Sequence, residues 1–149
     1  MTARIVPMEQ IHVPLAAALE AACFSVPWSE KQLAGDLERD TTAYFAALDE
    51  QGAVVGYAGF YTVLDEASIT NVAVHPGCRR QGIGQALLRA LLEEARARKM
   101  ACLTLEVRES NVPAIRLYMA QGFEVAGRRR RYYEKPPEDA ILMTIPLES

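Results

Sequence analysis

The sequence predicts an α+β fold, a mixed and mostly antiparallel central sheet flanked by helices, on three observations. Two runs rich in β-branched and aromatic residues, 42–48 and 53–64, flank the turn tetrapeptide Asp49-Glu-Gln-Gly52 and read as an antiparallel hairpin. The stretch 81–99 has apolar residues at 83, 87, 88, 91, 92 and 95, the pattern of a one-faced helix. That helix lies between two strand-like runs, so a single crossover joins an antiparallel first half to the rest.

The elements follow in order. Residues 4–8 form a short first strand, and 9–22 have the apolar spacing of a helix. Phe24-Ser-Val-Pro-Trp28 breaks that helix, and Ser29 with Gln32 makes a capping box for a second one to about Leu37. After the hairpin, Asp65-Glu66 marks a turn before a strand at 68–74, which His75-Pro76-Gly77 stops. The long helix carries Glu94 and Arg98 as an exposed i,i+4 pair. In the strand 101–107, Ala101, Leu103, Leu105 and Val107 face one way, and Cys102, Thr104 and Glu106 the other. A short helix over 111–120 ends at Gly122. The runs 123–131 and 140–146 close the sheet, antiparallel across a Pro136-Pro137 loop. No repeat or long linker divides the chain, which reads as one domain over residues 1–149.

Composition narrows the function. Of 149 residues half are hydrophobic and 23% charged, ordinary for a globular protein, and the net charge of −3 argues against a nucleic-acid-coating module. The cysteines Cys23, Cys78 and Cys102 are scattered, and His12 and His75 lie far from any ligand cluster, so neither a metal site nor a disulfide framework is expected. The stretch 14–24 is interrupted by Glu20 and lacks a preceding basic segment, unlike a signal peptide. The longest uncharged run, 51–64, is short of the roughly 20 residues of a membrane span. A cytoplasmic protein with no membrane contact is expected.

The segment Arg79-Arg-Gln-Gly-Ile-Gly84 joins a strand to the long helix. Unpaired backbone N–H groups at a helix N-terminus favour an anion, Gly82 and Gly84 would let a pyrophosphate approach this surface loop, and Arg79 and Arg80 add positive charge. Two other phosphate loops fail. Ile83-Gly84 replaces the Lys-Ser/Thr of a P-loop, and Leu87 stands where a dinucleotide fingerprint needs its third glycine.

The run from Asn71 to Leu88, with its Arg/Gln-x-x-Gly-x-Gly core, resembles the acyl-CoA signature of the Gcn5-related N-acetyltransferase (GNAT) family. Asn111, Tyr118 and Gly122-Phe123 follow at family-like spacing, and the element order is similar to that fold from end to end. The blocks Phe24-Ser-Val-Pro-Trp-Ser-Glu30, Leu105-Glu-Val-Arg-Glu-Ser-Asn111 and Arg131-Tyr-Tyr133 with Glu138-Asp-Ala-Ile-Leu-Met143 resemble the branch that acetylates the N-terminal alanine of a small-subunit ribosomal protein. The resemblance implies acetyl-CoA as cosubstrate and the N-terminal tail of that ribosomal protein as acceptor, with no direct nucleic-acid binding. It implies that Val72, Ala73 and Val74 bind the pantetheine arm by backbone hydrogen bonds and that Asn111 touches it. Arg79, Arg80, Gln81, Gly82, Ile83, Gly84 and Gln85 would hold the pyrophosphate.

Glu106 is the sequence's own candidate base, because a carboxylate within Cys102-Leu-Thr-Leu-Glu-Val107 is costly if buried without partners. A strand-end glutamate paired with Arg108 or Arg116 is the plainer alternative. The resemblance puts Glu106 at the proton acceptor and Tyr118 at the proton donor for the departing thiolate, where a core tyrosine is the alternative. Phe24, Trp28 and the stretch 128–133 are expected to edge the acceptor groove. Two other functions remain open at this level: acetylation of lysine side chains, polyamines or another small amine, and a non-catalytic acyl-CoA sensor.

Overall fold

The computed structural model describes residues 3–79 and 81–147. In chain order the elements are β1 (Arg4–Pro7), α1 (Val13–Cys23), α2 (Glu30–Leu37), β2 (Thr42–Leu48), β3 (Val54–Val63) and β4 (Glu66–Val74). Then come α3 (Ile83–Ala97), β5 (Cys102–Arg108), α4 (Val112–Ala120), β6 (Glu124–Glu134) and β7 (Pro137–Pro146). The strands form one seven-stranded sheet in the order β1-β2-β3-β4-β5-β7-β6, antiparallel throughout except for β4–β5. The α+β expectation and its mixed, mostly antiparallel sheet hold. No helix among the described residues is long and apolar enough to cross a membrane.

Two cores lie on opposite faces of the sheet. On one face α3 buries Ile83, Leu87, Leu88, Leu91, Leu92 and Ala95, the six positions its periodicity marks, against Phe60, Ala67, Leu103, Leu105 and Met143. On the other face α1 and α2 pack Val13, Ala16, Leu19 and Leu33 against Tyr44, Ala46, Tyr57 and Ala73 of β2, β3 and β4. Along β5 burial alternates, with Leu103, Leu105 and Val107 buried and Thr104, Glu106 and Arg108 only half-buried on the α1 side. That part of the sheet face is therefore open beside the α1–α2 layer.

Three boundaries and one side-chain pair differ from the sequence expectation. The first helix starts at Val13, after a 3-10 turn at Gln10–His12 closed by reciprocal Glu9 and His12 bonds. Pro14 lacks an N–H and clashes with a preceding turn, so it fits only at the helix start. The Glu94–Arg98 pair, 2.9 Å, is half-buried rather than exposed. Arg98 also donates to the carbonyls of Asp40 (3.3 Å) and Thr42 (3.1 Å) and lies over the Phe60 ring, stapling α3 to β2. The Asp65-Glu66 turn falls one residue earlier, at Leu64-Asp65, since Val63 pairs with Glu66. Finally, β6 and β7 extend to the Lys135-Pro136 tip, past the strand ends at 131 and 140 that the sequence suggests. The extra residues of β6 bulge out between the pairs Arg129–Ala140 and Tyr133–Glu138. Asp139 fills that bulge, accepting the Arg131 N–H and an Arg128 N–H, each at 3.0 Å.

Candidate active site

β4 and β5 pair in parallel only through Glu66–Cys102, Ala67–Leu103 and Ser68–Thr104, although β4 runs on to Val74 and β5 to Arg108. The cause lies in β4. Its register against β3 slips between Gly59–Asn71 and Phe60–Ile69, which leaves Thr70 as an unpaired extra residue. Such a bulge bends a strand and reverses which face its following side chains meet. Ala67 therefore faces the α3 core, while Ala73 faces the α1 core. Beyond the bulge β4 keeps β3 as a partner and diverges from β5. The Val74 carbonyl points to that gap and accepts the Cys23 thiol (3.5 Å) and Arg79 Nε (3.3 Å). By strand alternation the N–H groups of Val72 and Val74 share its direction, and the Ala73 N–H faces β3.

The gap leads to the loop before α3. His75 Nδ1 accepts the Gly77 N–H at 3.0 Å in a 3-10 turn, and Gly82 then caps α3 at φ +80°. That left-handed conformation suits glycine, and a side chain there would meet open space, so Gly82 is required by its backbone. No side chain caps α3 and its first turn holds no acid. The first intrahelical bond runs from the Ala86 N–H to the Gly82 carbonyl, so the N–H groups of Ile83, Gly84 and Gln85 precede any helical acceptor. Together with a dipole worth roughly half a charge, they form a cradle suited to an anion. Gly84 is less a surface-loop residue than expected. A Cβ there would lie 3.2 Å from Leu117 of α4 and 3.7 Å from Val74, so it also permits close packing. Arg79 is exposed beside Cys23, Gln81 is exposed at the loop, and Arg80 lies outside the described residues.

Glu106 stands on the open face of β5. Its Oε2 is buried and has no hydrogen-bond partner among the described residues, while Arg129 Nε of β6 lies 3.8 Å away. Neither Arg108 nor Arg116 is its partner: Arg108 pairs with Glu138 at 3.3 Å and stacks over Tyr133. An orphaned carboxylate oxygen in a groove is an acceptor awaiting a donor. Burial and the Glu106 charge push the Tyr133 phenol up to about 12. Tyr118 of α4 is buried edge-on to Phe123, and burial, with the Tyr133 phenol as a second cause, pushes it up to about 12 as well. Tyr133 is thus the electrostatic neighbour of both Glu106 and Tyr118. Asn111 is exposed and its carboxamide oxygen caps α4 by accepting the Ala114 N–H at 3.2 Å, which leaves its nitrogen as a donor. Among the described residues no group of three or more His, Cys, Asp or Glu side chains is placed to hold a metal ion.

A roof crosses one end of the open face. Ser25, in the segment between α1 and α2, donates to the Lys135 carbonyl at the β6–β7 tip (2.6 Å), and Arg108 holds the same tip through the carbonyls of Lys135 and Pro136. Phe24 and Trp28 of that α1–α2 loop are half-buried against the α1 core, and Tyr132 of the bulge is half-exposed near Glu106. Sequence reading missed the anchor beneath the roof. Glu20, 1% exposed, accepts the Trp28 N–H (2.9 Å), the Tyr57 hydroxyl (2.5 Å) and the Asn71 carboxamide (3.0 Å). A lone acid in an apolar helix and an asparagine within a strand were the available signals.

Comparison with known proteins gives concordant similarities from family, relatives and solved structure. The model of the acetyltransferase (GNAT) family matches residues 14–123. The chain is 40% identical over 142 residues to the ribosomal protein bS18-alanine N-acetyltransferase of Escherichia coli (strain K12), covering 94% of this chain and 95% of that protein. It is 35% identical to a Bacillus subtilis (strain 168) protein named as a putative enzyme of the same kind, over 85% of this chain and 84% of that one. The crystal structure of the Escherichia coli ribosomal-protein-S18-alanine N-acetyltransferase superposes with a TM-score of 0.90 at 39% identity, covering 99% of this chain and 96% of the other.

Proposed function

This chain belongs to the acetyltransferase (GNAT) family, and from that premise we propose that it moves the acetyl group of acetyl-CoA to the N-terminal alanine α-amine of a small-subunit ribosomal protein. It is an N-acetyltransferase, and one observation carries the site: β4 and β5 part after Ser68–Thr104, so a strand edge and the orphaned Glu106 oxygen face one roofed gap. The reading treats residues 1–149 as one catalytic domain, acting in the cytoplasm where its two substrates meet, without a membrane or direct nucleic-acid contact.

The residues present fit the cosubstrate. The free N–H groups at the α3 N-terminus, with Arg79, Gln81, Gly82, Ile83, Gly84 and Gln85 and the neighbouring Arg80 of the sequence, would hold its pyrophosphate. The β4 edge at Val72 and Val74 would hold the pantetheine amides and Asn111 would touch the arm, whereas Ala73 serves the β3 ladder. Acetyl-CoA supplies the acetyl group as an activated thioester. Everything else falls to the chain. Glu106 Oε2 accepts the proton of the attacking amine, directly or through one water. Tyr118, kept protonated by burial, holds the proton that neutralises the departing sulfur.

The amine's own acidity favours an N-terminus. An α-amine has a pKa of about 7.7–8.0 and lysine about 10.4, a gap worth roughly 3.5 kcal/mol against lysine at the deprotonation step. A roofed groove with Phe24, Trp28 and Tyr132 around it also suits a chain end over an internal side chain, which brings flanking backbone on both sides. A short peptide with alanine first and a basic second residue is therefore expected to be acetylated at its α-amine. Its kcat/KM should exceed that of the same peptide blocked at the N-terminus and carrying lysine, and that of spermidine. Competition assays with mass-spectrometric readout decide it. A win for blocked lysine or spermidine would leave only the broader acetyltransferase, and no thiol release with any amine would leave an acyl-CoA sensor.

A further inference from the structure

Among the described residues Glu20 is the single buried charged side chain. Nothing in the reaction uses it. A leucine would pack the same helix face, where Ala16 and Leu19 already lie, without the cost of removing a carboxylate from water. Burial does push its carboxyl up, so the three donors it collects only partly offset that cost. Those donors come from three different elements: the Trp28 main chain of the α1–α2 loop, the Tyr57 side chain of β3 and the Asn71 side chain of β4.

We infer that Glu20 is a positioning residue that holds the α1–α2 loop in the conformation that receives the acceptor peptide. This rests on the acceptor groove proposed above. Between α1 and α2 the loop has no regular structure, and apart from the Ser29–Gln32 box that starts α2, two side-chain bonds hold it, Glu20 to the Trp28 N–H from inside and Ser25 to Lys135 from outside. The inner bond is tied to the cofactor side. Asn71, which donates to the same Glu20 oxygen as Tyr57, directly precedes Val72–Val74, and the Thr70 bulge is what turns it toward α1. One carboxylate therefore sets the peptide-side loop in register with the strand edge that faces the gap. The Tyr57 phenol, raised by burial and by the Glu20 charge, stays a donor across the working range and keeps the carboxylate in place.

The test compares Glu20→Met, which preserves volume and loses the bond to the loop, with Glu20→Gln, whose amide oxygen can still accept the Trp28 N–H. Glu20→Met should raise KM for the alanine-first peptide about tenfold, with KM for acetyl-CoA held within about twofold, and Glu20→Gln should bring the peptide KM back to within about threefold of the parent. Trp28 is the sole tryptophan of the chain, so acrylamide quenching of its fluorescence reports on the loop without any turnover and should increase in Glu20→Met alone. A normal peptide KM with unchanged quenching, or both KM values rising together, would reduce Glu20 to a stabilising residue and overturn the inference. If circular dichroism shows Glu20→Met unfolded, Glu20→Asp, whose shorter arm withdraws from the loop, takes its place with the same outcomes. Should the parent enzyme acetylate no alanine-first peptide, the acceptor reading fails, and the quenching comparison still decides whether Glu20 holds the loop.

Discussion

Glu106 and Tyr118 differ in what surrounds them, and that difference predicts distinct pH behaviour in the proposed reaction. Glu106 presents a buried oxygen with no donor on it and a single arginine at 3.8 Å. Tyr118 is packed against Phe123, where burial disfavours its anion and pushes it up to about 12, so it stays protonated through the neutral and mildly alkaline range. A raised phenol pKa keeps the acid form through the working range, and no alkaline loss of activity from Tyr118 should appear near neutral or mildly alkaline pH. Replacing Glu106 by glutamine should lower turnover on the order of 10²–10⁴-fold near neutral pH, with partial recovery as the amine loses its own proton above about pH 8. Tyr118→Phe should lose activity of similar order without that recovery, because its defect lies at the leaving sulfur. Superimposable pH–rate profiles for the two variants would refute the division of roles.

At the scale of elements, the turn into α3 joins two glycine requirements that look alike in the sequence. Gly82 needs the left-handed φ of +80° and meets no neighbour, whereas Gly84 needs space because Leu117 of α4 would lie 3.2 Å from its Cβ. Gly82→Ala should cost about 1–2 kcal/mol of strain. Gly84→Val should cost about 1–3 kcal/mol by overpacking against Leu117, and should weaken acetyl-CoA binding about tenfold or more. Urea denaturation measures the first effect and calorimetric titration the second. A folded Gly84→Val protein that binds acetyl-CoA like its parent would show that the α3 N-terminus is not the pyrophosphate cradle.

The whole molecule is two cores sharing one sheet. β2 and β3 contribute Ala43, Ala47 and Phe60 to the α3 side, and Tyr44, Ala46 and Tyr57 to the α1 side. Neither core can open without stripping a face from strands the other uses, so unfolding should be a single cooperative step. Trp28 packs on the α1 side, while far-UV circular dichroism weighs all helices and strands. Urea curves from tryptophan fluorescence and from circular dichroism should therefore coincide. Two separated transitions would contradict the reading of residues 1–149 as one cooperative domain.

The sequence by itself determined the elements whose causes are local. The six buried positions of α3, the Ser29–Gln32 capping box, the turn at Asp49–Gly52 and the alternation along Cys102–Val107 all lie within a few residues of their causes, and each stands where periodicity or turn chemistry puts it, whereas Ala101, expected on the buried face, is exposed before β5 begins. The family-like loop was legible as a short pattern at fixed spacing, and Glu106 as a carboxylate set within an apolar strand, its role belonging to the proposed reaction. Tertiary structure alone decided the rest. The bulge at Thr70 exists only relative to β3, and the long β6–β7 pairing depends on Asp139 filling a bulge opposite it. Glu20 reaches Asn71 across 51 residues of sequence, and Ser25 reaches Lys135 across 110. Periodicity records which face a residue shows, but not which distant donor, ring or carbonyl waits there, and that partner is what makes a buried acid or a close-packed glycine affordable in free energy.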